Sequence, residues 1–260
     1  IGIKAPIIVE TNRLETDFGI LSKRHIKALL EDGNIDGLGD PRLLTISALR
    51  NKGITPDILK DFCSELAYSQ NASAVVPYHK FESVIRKNLN NTAPRRMFVE
   101  NPLKITIKNY TDDLFKVYKP LYPHDDKSNK NFSTSFNDIL FIDRGDFKTE
   151  GVNKKYKRFS PNRVVIVKYG GLIKYIDHDI DSNGNVINVN VEHFAENTID
   201  DKVWGTIHWV SYPDEETMKG NTHSLIQYDY PNESNKVGHK LVKQILLDYD
   251  LDKYFIKNTS

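Results

Sequence analysis

Gly19-Ile-Leu-Ser-Lys-Arg24 decides how the sequence is interpreted, because it predicts a loop that runs into a helix. Ser22 is a good N-cap residue, since its hydroxyl can accept a hydrogen bond from a first-turn amide. Apolar residues then recur at helical spacing as far as Gly33, where we expect the helix to stop. Lys23 and Arg24 stand at the positive end of this helix, which is unfavourable unless an anion binds. Spacing alone also fits a capped, solvent-exposed surface helix.

Length and composition bound the class of protein. The chain has 260 residues, of which 39% are hydrophobic and 27% charged, enough for one large or two modest domains with a core. A net charge of +1 gives no global signature of binding to a polyanion. The single cysteine, Cys63, excludes an internal disulfide framework, and its place on an apolar helical stripe predicts a buried structural thiol. No apolar run is long enough to cross a membrane.

Residues 23–90 are predicted to be helical. Thr55-Pro56-Asp57 is a good helix start, with threonine as the cap and proline at the first helical position. The residues around Gly53 also resemble a helix-turn-helix, which would suggest DNA binding. The sequence shows no second such unit, so we expect no DNA partner.

From Met97 onward the apolar period changes to two, which predicts strands. Asp181-Ser-Asn-Gly184 predicts a hairpin turn, because Asn-Gly supports a positive φ. Many short strands favour β-barrels or a sandwich. Residues 123–135 are predicted to be a polar loop, and residues 240–250 a short amphipathic helix. The predicted strands are Leu103–Ile107, Ile139–Phe147, Val164–Lys168, Leu172–Ile176, Val186–Val191 and Thr206–Val210.

Several short sequence motifs of this chain resemble those of class I aminoacyl-tRNA synthetases, and those of the glutaminyl enzymes most of all. Leu21-Ser22-Lys23-Arg24 is similar to the second ATP signature loop of that family. Leu38 and Gly39 depart from the residues that the family usually has before its Asp-Pro-Arg block. The further matching blocks occur in the family's order: Asp40-Pro41-Arg42, Ala93-Pro94-Arg95-Arg96-Met97, Ile142-Asp143-Arg144-Gly145-Asp146-Phe147, Tyr156-Lys157-Arg158 and Ile207-His208-Trp209-Val210-Ser211.

The resemblance implies a multi-domain α+β fold. Residues 1–33 would be the end of a Rossmann-type catalytic domain, and residues 34–92 a helical region that contacts the tRNA stem. Residues 93–260 would form antiparallel, anticodon-binding β-barrels similar to ribosomal protein L25. Residues 1–10 read as a strand, for which we expect a partner sheet upstream.

The resemblance also implies site residues. Lys23 and Ser22 would act in catalysis by stabilising charge on the leaving phosphates of ATP. The ATP-binding set would be Arg13, Leu14, Leu21, Ser22 and Lys23. The tRNA-binding set would be Arg95, Lys155, Tyr156, Lys157 and Arg158, with Asn71 and Tyr78 from a loop that matches by position. No resident metal is implied beyond Mg²⁺ that accompanies ATP.

The implied reaction is ATP-dependent attachment of glutamine to its tRNA through an adenylate. The family's first signature, His-Ile-Gly-His, does not occur in this sequence, so we expect the other half of the site upstream. The expected protein is a cytoplasmic monomer that binds ATP, glutamine and tRNA. A glutamyl-tRNA synthetase of the same subclass and a non-catalytic tRNA-binding protein remain as alternatives.

Overall fold

A computed structural model describes residues 7–8, 13–66, 75–111, 115–125, 127–195, 198, 200–212, 215–228 and 240–247. The chain divides into two compact units. Unit 1 comprises residues 1–92 and 226–241, and unit 2 comprises residues 93–225 and 242–260. The strand predicted over residues 1–10 lies almost wholly outside the described residues.

Unit 1 is helical where helices were predicted. Its helices are α1 (Lys23–Glu31), α2 (Ile46–Asn51), α3 (Pro56–Glu65) and α4 (Tyr78–Thr92). Thr55 caps α3 as expected, because its hydroxyl accepts from the amide of Ile58 at 3.4 Å. This unit also contains two short parallel strands, β1 (Glu15–Thr16) and β2 (Val75–Val76).

The core of unit 1 forms where α3 and α4 meet. The rings of Phe62 on α3 and Phe81 on α4 pack edge to face with their centres 4.8 Å apart. Phe18 stacks on Phe81 at 5.5 Å. The prediction of a buried Cys63 is wrong, because Cys63 is exposed. Only part of the apolar stripe of α3 faces the core, and Cys63 lies beyond its edge.

Unit 2 is built around a six-stranded mixed sheet. Its strands have the order β11-β8-β9-β10-β4-β7. The expectation of wholly antiparallel strands is wrong, since β10 pairs with β4 and β11 pairs with β8 in parallel. Strand direction between distant segments depends on crossover connections, which hairpin signals do not reveal. The six strands are β4 (Pro102–Ile107), β7 (Ile139–Asp143), β8 (Val164–Val167), β9 (Gly171–Ile180), β10 (Val186–Phe194) and β11 (Val203–Ile207).

The two edges of this sheet are joined by a bridge. The chain after β11 reaches β7, where Phe141 and Val210 exchange two backbone hydrogen bonds of 2.8 and 3.0 Å. The enclosed core includes Trp209, which is fully buried. The turn between β9 and β10 is the predicted hairpin, with Gly184 at φ +81°.

Two segments differ from the sequence-based expectation. Asn131–Phe136 is not loop but strand β6, which pairs with β5 (Phe115–Pro120) and buries every residue from Phe132 to Phe136. Lys240–Leu247 is not a helix but strand β13, where Leu246 pairs with Val99 of β3 (Phe98–Val99). The described elements also include α5 (Glu215–Gly220), strand β12 (Thr222–Tyr228) and a 3₁₀ turn (Arg144–Asp146).

Candidate functional site

The start of α1 is the first candidate site. Ser22 is the N-cap residue, and its carbonyl accepts from the amide of Ile26 at 3.0 Å. Its hydroxyl makes no capping hydrogen bond among the described residues, unlike the expectation. Lys23 and Arg24 are exposed, and the first turn holds no acidic residue. The positive end of the helix is therefore unbalanced and suited to an anion.

The loop that leads into α1 is held by a glycine that no other residue can replace without strain. Gly19 has φ +66°, in the left-handed region that favours glycine. A Cβ atom at this position would lie 2.6 Å from Cγ of Leu44. Leu44 therefore leaves room only for glycine at this point of the chain that leads to Leu21, Ser22 and Lys23.

The Asp-Pro-Arg block forms a buried ion pair rather than a ligand-facing group. Asp40 is buried and accepts from Nε and Nη2 of Arg42 at 3.0 and 2.7 Å. It also accepts from the amides of Arg42 and Asp36. Burial raises the pKa of Asp40, but these hydrogen bonds outweigh burial and lower the pKa to about 2. The block therefore shapes the loop between α1 and α2.

The remaining ATP candidates are exposed side chains that lie before and after β1 in the chain. Arg13 and Leu14 precede β1, and Leu14 is 42% exposed. Leu21 is exposed beside Ser22. In the described part of the chain, no hydrogen bond or ion pair joins Arg13 to Ser22 or Lys23.

Of the two loop residues proposed to contact tRNA in unit 1, the structure describes one. Tyr78 begins α4, and its amide donates to Oδ1 of Asp17 at 2.8 Å. Its ring packs edge to face on Phe18 at 5.2 Å and remains 41% exposed. Asn71 lies outside the described residues.

In unit 2, residues 153–158 form what we call the basic loop. Asn153 shapes its start, since Oδ1 of Asn153 accepts from the amides of Lys155 and Tyr156 at 2.9 and 3.1 Å. Lys155 and Lys157 are exposed. Lys154 is exposed as well, so the loop offers three lysine side chains to solvent from a hydrogen-bonded turn.

Tyr156 is half-buried within the basic loop. Its hydroxyl lies 3.5 Å from the carbonyl of Gly145, and Nζ of Lys148 lies 5.2 Å from the ring centre. Burial raises the pKa of Tyr156 above its usual value, while the charge of Arg163 acts in the opposite direction. The phenol therefore stays neutral at physiological pH.

Arg158 ends the basic loop with its side chain directed at a buried acid. The guanidinium pairs with Oδ1 of Asp146, and the Arg158 side chain is 53% exposed against 1% for Asp146. The amide of Phe159 donates to the carbonyl of Asp146 at 3.0 Å. Arg158 therefore neutralises a buried carboxylate and keeps half of its surface in solvent.

Arg95 lies apart from the basic loop in sequence, at the start of unit 2. Its amide donates to the carbonyl of Leu121 at 2.7 Å, just after β5, and its side chain is exposed. The neighbouring Arg96 is half-buried, with its guanidinium 3.8 Å from the ring centre of Phe132. Of the two adjacent arginines, Arg95 is the one that faces solvent.

Sequence reasoning missed Arg163 and Trp204, which meet beneath the basic loop. Arg163 is buried, and its guanidinium lies 4.0 Å from the ring centre of Trp204 and 5.7 Å from that of Tyr156. Lys202 also approaches Trp204, at 4.5 Å. No local pattern signals these contacts, because Arg163 and Trp204 are distant in sequence and meet only through the pairing of β8 with β11.

Two broader properties of the described residues were checked. No group of three His, Cys, Asp or Glu side chains in the described ranges is arranged to hold a metal ion. None of the helices that the structure describes is long and apolar enough to span a membrane.

The comparisons with known proteins agree with the division of the chain. The family model for the catalytic domain of class I tRNA synthetases (E and Q) matches residues 1–91. The model for the anti-codon binding domain of the same synthetases matches residues 93–193. The chain belongs to the class I tRNA synthetases of the E and Q type.

Among its relatives are proteins named glutamine–tRNA ligase. That of Tolumonas auensis is 34% identical over 210 residues, which cover 78% of this chain and 37% of the relative. That of Clostridioides difficile is 36% identical, covering 79% of this chain and 38% of the relative. That of Rhodopirellula baltica is 30% identical over 245 residues, which cover 92% of this chain and 40% of the relative. The chain thus spans about two fifths of the length of these relatives.

Proposed function

We propose that this protein is a glutamine–tRNA ligase and that this chain supplies its second ATP loop and much of its tRNA-binding surface. The observation that carries the proposal is the start of α1, where Ser22 and Lys23 form an unbalanced positive helix end within the catalytic-domain match. The names of the relatives support glutamine as the amino acid.

The proposed chemistry requires a preorganised cation rather than a proton donor. Glutamine's carboxylate attacks the α-phosphate of ATP, and pyrophosphate leaves. Lys23 would stabilise the negative charge that grows on the leaving phosphates, and the hydroxyl of Ser22 would donate to a phosphate oxygen. Arg13, Leu14 and Leu21 would contact the nucleotide, with Mg²⁺ arriving on its phosphates.

We assign a different proposed role to each of the two units. Residues 1–33 would complete the Rossmann-type catalytic domain, and residues 34–92, with Asn71 and Tyr78, would contact the tRNA stem. Residues 93–260 would form anticodon-binding barrels similar to ribosomal protein L25. Support comes from the match of residues 93–193 and from the bridge that joins the two sheet edges.

The proposed tRNA contacts in unit 2 are the side chains of Arg95, Lys155, Tyr156, Lys157 and Arg158. Unpaired anticodon bases present edges that Arg can read and faces on which Tyr can stack. The exposure of both lysines and of Arg95 supports this role. The proposed protein acts as a monomer in the cytoplasm.

Replacement of one lysine tests the proposal. Lys23→Ala, in the protein expressed from its whole coding sequence, is expected to slow glutamine-dependent pyrophosphate exchange by roughly 100-fold, the scale for one transition-state donor. Lys27→Ala is the matched control, since Lys27 is an exposed lysine of the same helix that pairs with Glu31. Equal rates for both variants would contradict the role of Lys23, and exchange that depends on glutamate instead would contradict the choice of amino acid.

A further inference from the structure

The basic loop is held from below by a buried arginine. Nη2 of Arg163 donates to the carbonyl of Asn153 at 2.8 Å, at the point where the loop begins. Arg163 is only 8% exposed, and its guanidinium lies over the indole of Trp204, 4.0 Å from the ring centre. A cation over an indole face in a site shielded from water is a favourable contact. Arg163 thereby ties the loop to strand β11.

A glycine of the same strand makes the close approach possible. A Cβ atom at Gly205 would lie 2.1 Å from the carbonyl oxygen of Lys157. That distance is far below any real contact, and a backbone atom cannot rotate away. The φ of Gly205 is not positive, so the requirement for glycine comes from the approach of the loop and not from backbone conformation.

Stability alone does not account for Arg163. Nη1 of Arg163 is buried and has no hydrogen-bond partner among the described residues. Burying a guanidinium with an unpaired N–H lowers stability relative to an apolar side chain of similar volume. The hydrogen bond from Nη2 to Asn153 instead gives this arginine a role in holding the loop that carries Lys155 and Lys157.

We propose that Arg163, Trp204 and Gly205 are positioning residues that preorganise the basic loop for binding the unpaired bases and phosphates of a tRNA anticodon arm. This inference rests on the proposed function. Arg163 does not touch the RNA. Its contribution is to fix the backbone of the loop before binding, so that no conformational entropy of the loop is lost when tRNA binds.

The matched glycine variants Gly205→Ala and Gly220→Ala test this inference. A Cβ at Gly220 meets nothing within 4 Å, so this variant controls for the loss of glycine itself. Gly205→Ala is expected to weaken binding of a glutamine-accepting tRNA transcript about tenfold, the scale of re-ordering a loop with several long side chains. The slope of log affinity against log salt should also fall by about one, because lysine–phosphate contacts are lost. Gly220→Ala should change neither quantity.

Trp204→Phe and Trp204→Leu provide a second pair that does not depend on Gly205→Ala folding. Phe keeps an aromatic face for Arg163 and is expected to retain near-normal tRNA affinity, whereas Leu should lose it with an unchanged far-UV spectrum. A merely structural role would give equal affinities for the two folded variants. The inference is overturned if Trp204→Phe and Trp204→Leu bind tRNA equally well. It is also overturned if Gly205→Ala folds and keeps the wild-type affinity and salt slope.

The double variant Lys155→Ala/Lys157→Ala separates this inference from the proposed function. If it binds tRNA as tightly as the wild type, Lys155 and Lys157 do not contact tRNA and the function proposed for them fails. If it binds weakly while the Gly205 and Trp204 variants bind normally, only the positioning role fails.

Discussion

Removing the cation from the Arg158–Asp146 pair is expected to destabilise unit 2. Arg158→Met keeps the length of the side chain but leaves the carboxylate of Asp146, which is 1% exposed, without its counter-charge. Breaking a fully buried pair costs about 3–5 kcal/mol. The side chain of Arg158 is 53% exposed, so solvent screens part of the interaction, and we expect a loss of about 2 kcal/mol.

The assay is urea unfolding at pH 7 followed by tryptophan fluorescence. Both tryptophans, Trp204 and Trp209, belong to unit 2, so the signal reports on this unit. In the Asp146→Asn background the buried carboxylate is gone, and Arg158→Met should cost about 1 kcal/mol less than it does alone. Lys174→Met is the control, because Lys174 pairs with Asp201 on the surface, where solvent screens the pair and its loss should change stability little. If Arg158→Met costs no more than this control, or costs the same in the wild-type and Asp146→Asn backgrounds, the ion pair does not stabilise the unit.

Three further predictions concern unit 1. The pKa of Asp40 is about 2 in the folded state against an ordinary 3.8, so the ionised carboxylate adds about 2 kcal/mol to the free energy of unfolding above pH 4, and this contribution is lost as the pH falls toward 2. Urea unfolding followed by circular dichroism should show this loss in the wild type and not in Asp40→Asn. Cys63 is exposed, so the native protein should react with a thiol reagent as fast as the unfolded chain does, and slow labelling would mean a buried thiol. Gly19→Ala should destabilise the unit by about 1 kcal/mol more than Gly33→Ala, since both have a positive φ but only Gly19 faces a side chain, that of Leu44; equal losses in thermal unfolding would show that the contact is relieved.

Local signals predicted the helices of unit 1 well. The cap at Thr55 acts within one turn of its own helix, so its sequence signature is sufficient. The segment Lys240–Leu247 shows the opposite case. Its apolar residues fit either period, and its pairing with Val99 depends on a strand more than 140 residues away. A strand defined by a distant partner leaves no decisive local pattern.

The candidate site divides in the same way. The resemblance to the synthetase family singled out the run Tyr156-Lys157-Arg158, and the start of α1 was predicted from Ser22 and the residues that follow it. The support beneath the loop was not, because Arg163 and Trp204 meet only once β8 and β11 pair. The prediction that Cys63 is buried was wrong because helical spacing does not determine how wide the buried part of an apolar stripe is.

Binding of tRNA by this chain tests the central claim most directly. The measurement is the equilibrium affinity of residues 1–260 for a glutamine-accepting tRNA and for the same tRNA with one anticodon base changed, at one fixed salt concentration. The account predicts that the changed base weakens binding by about 1–3 kcal/mol, since a base-reading contact discriminates at its own position. Equal affinity for the two tRNAs would contradict anticodon recognition by unit 2.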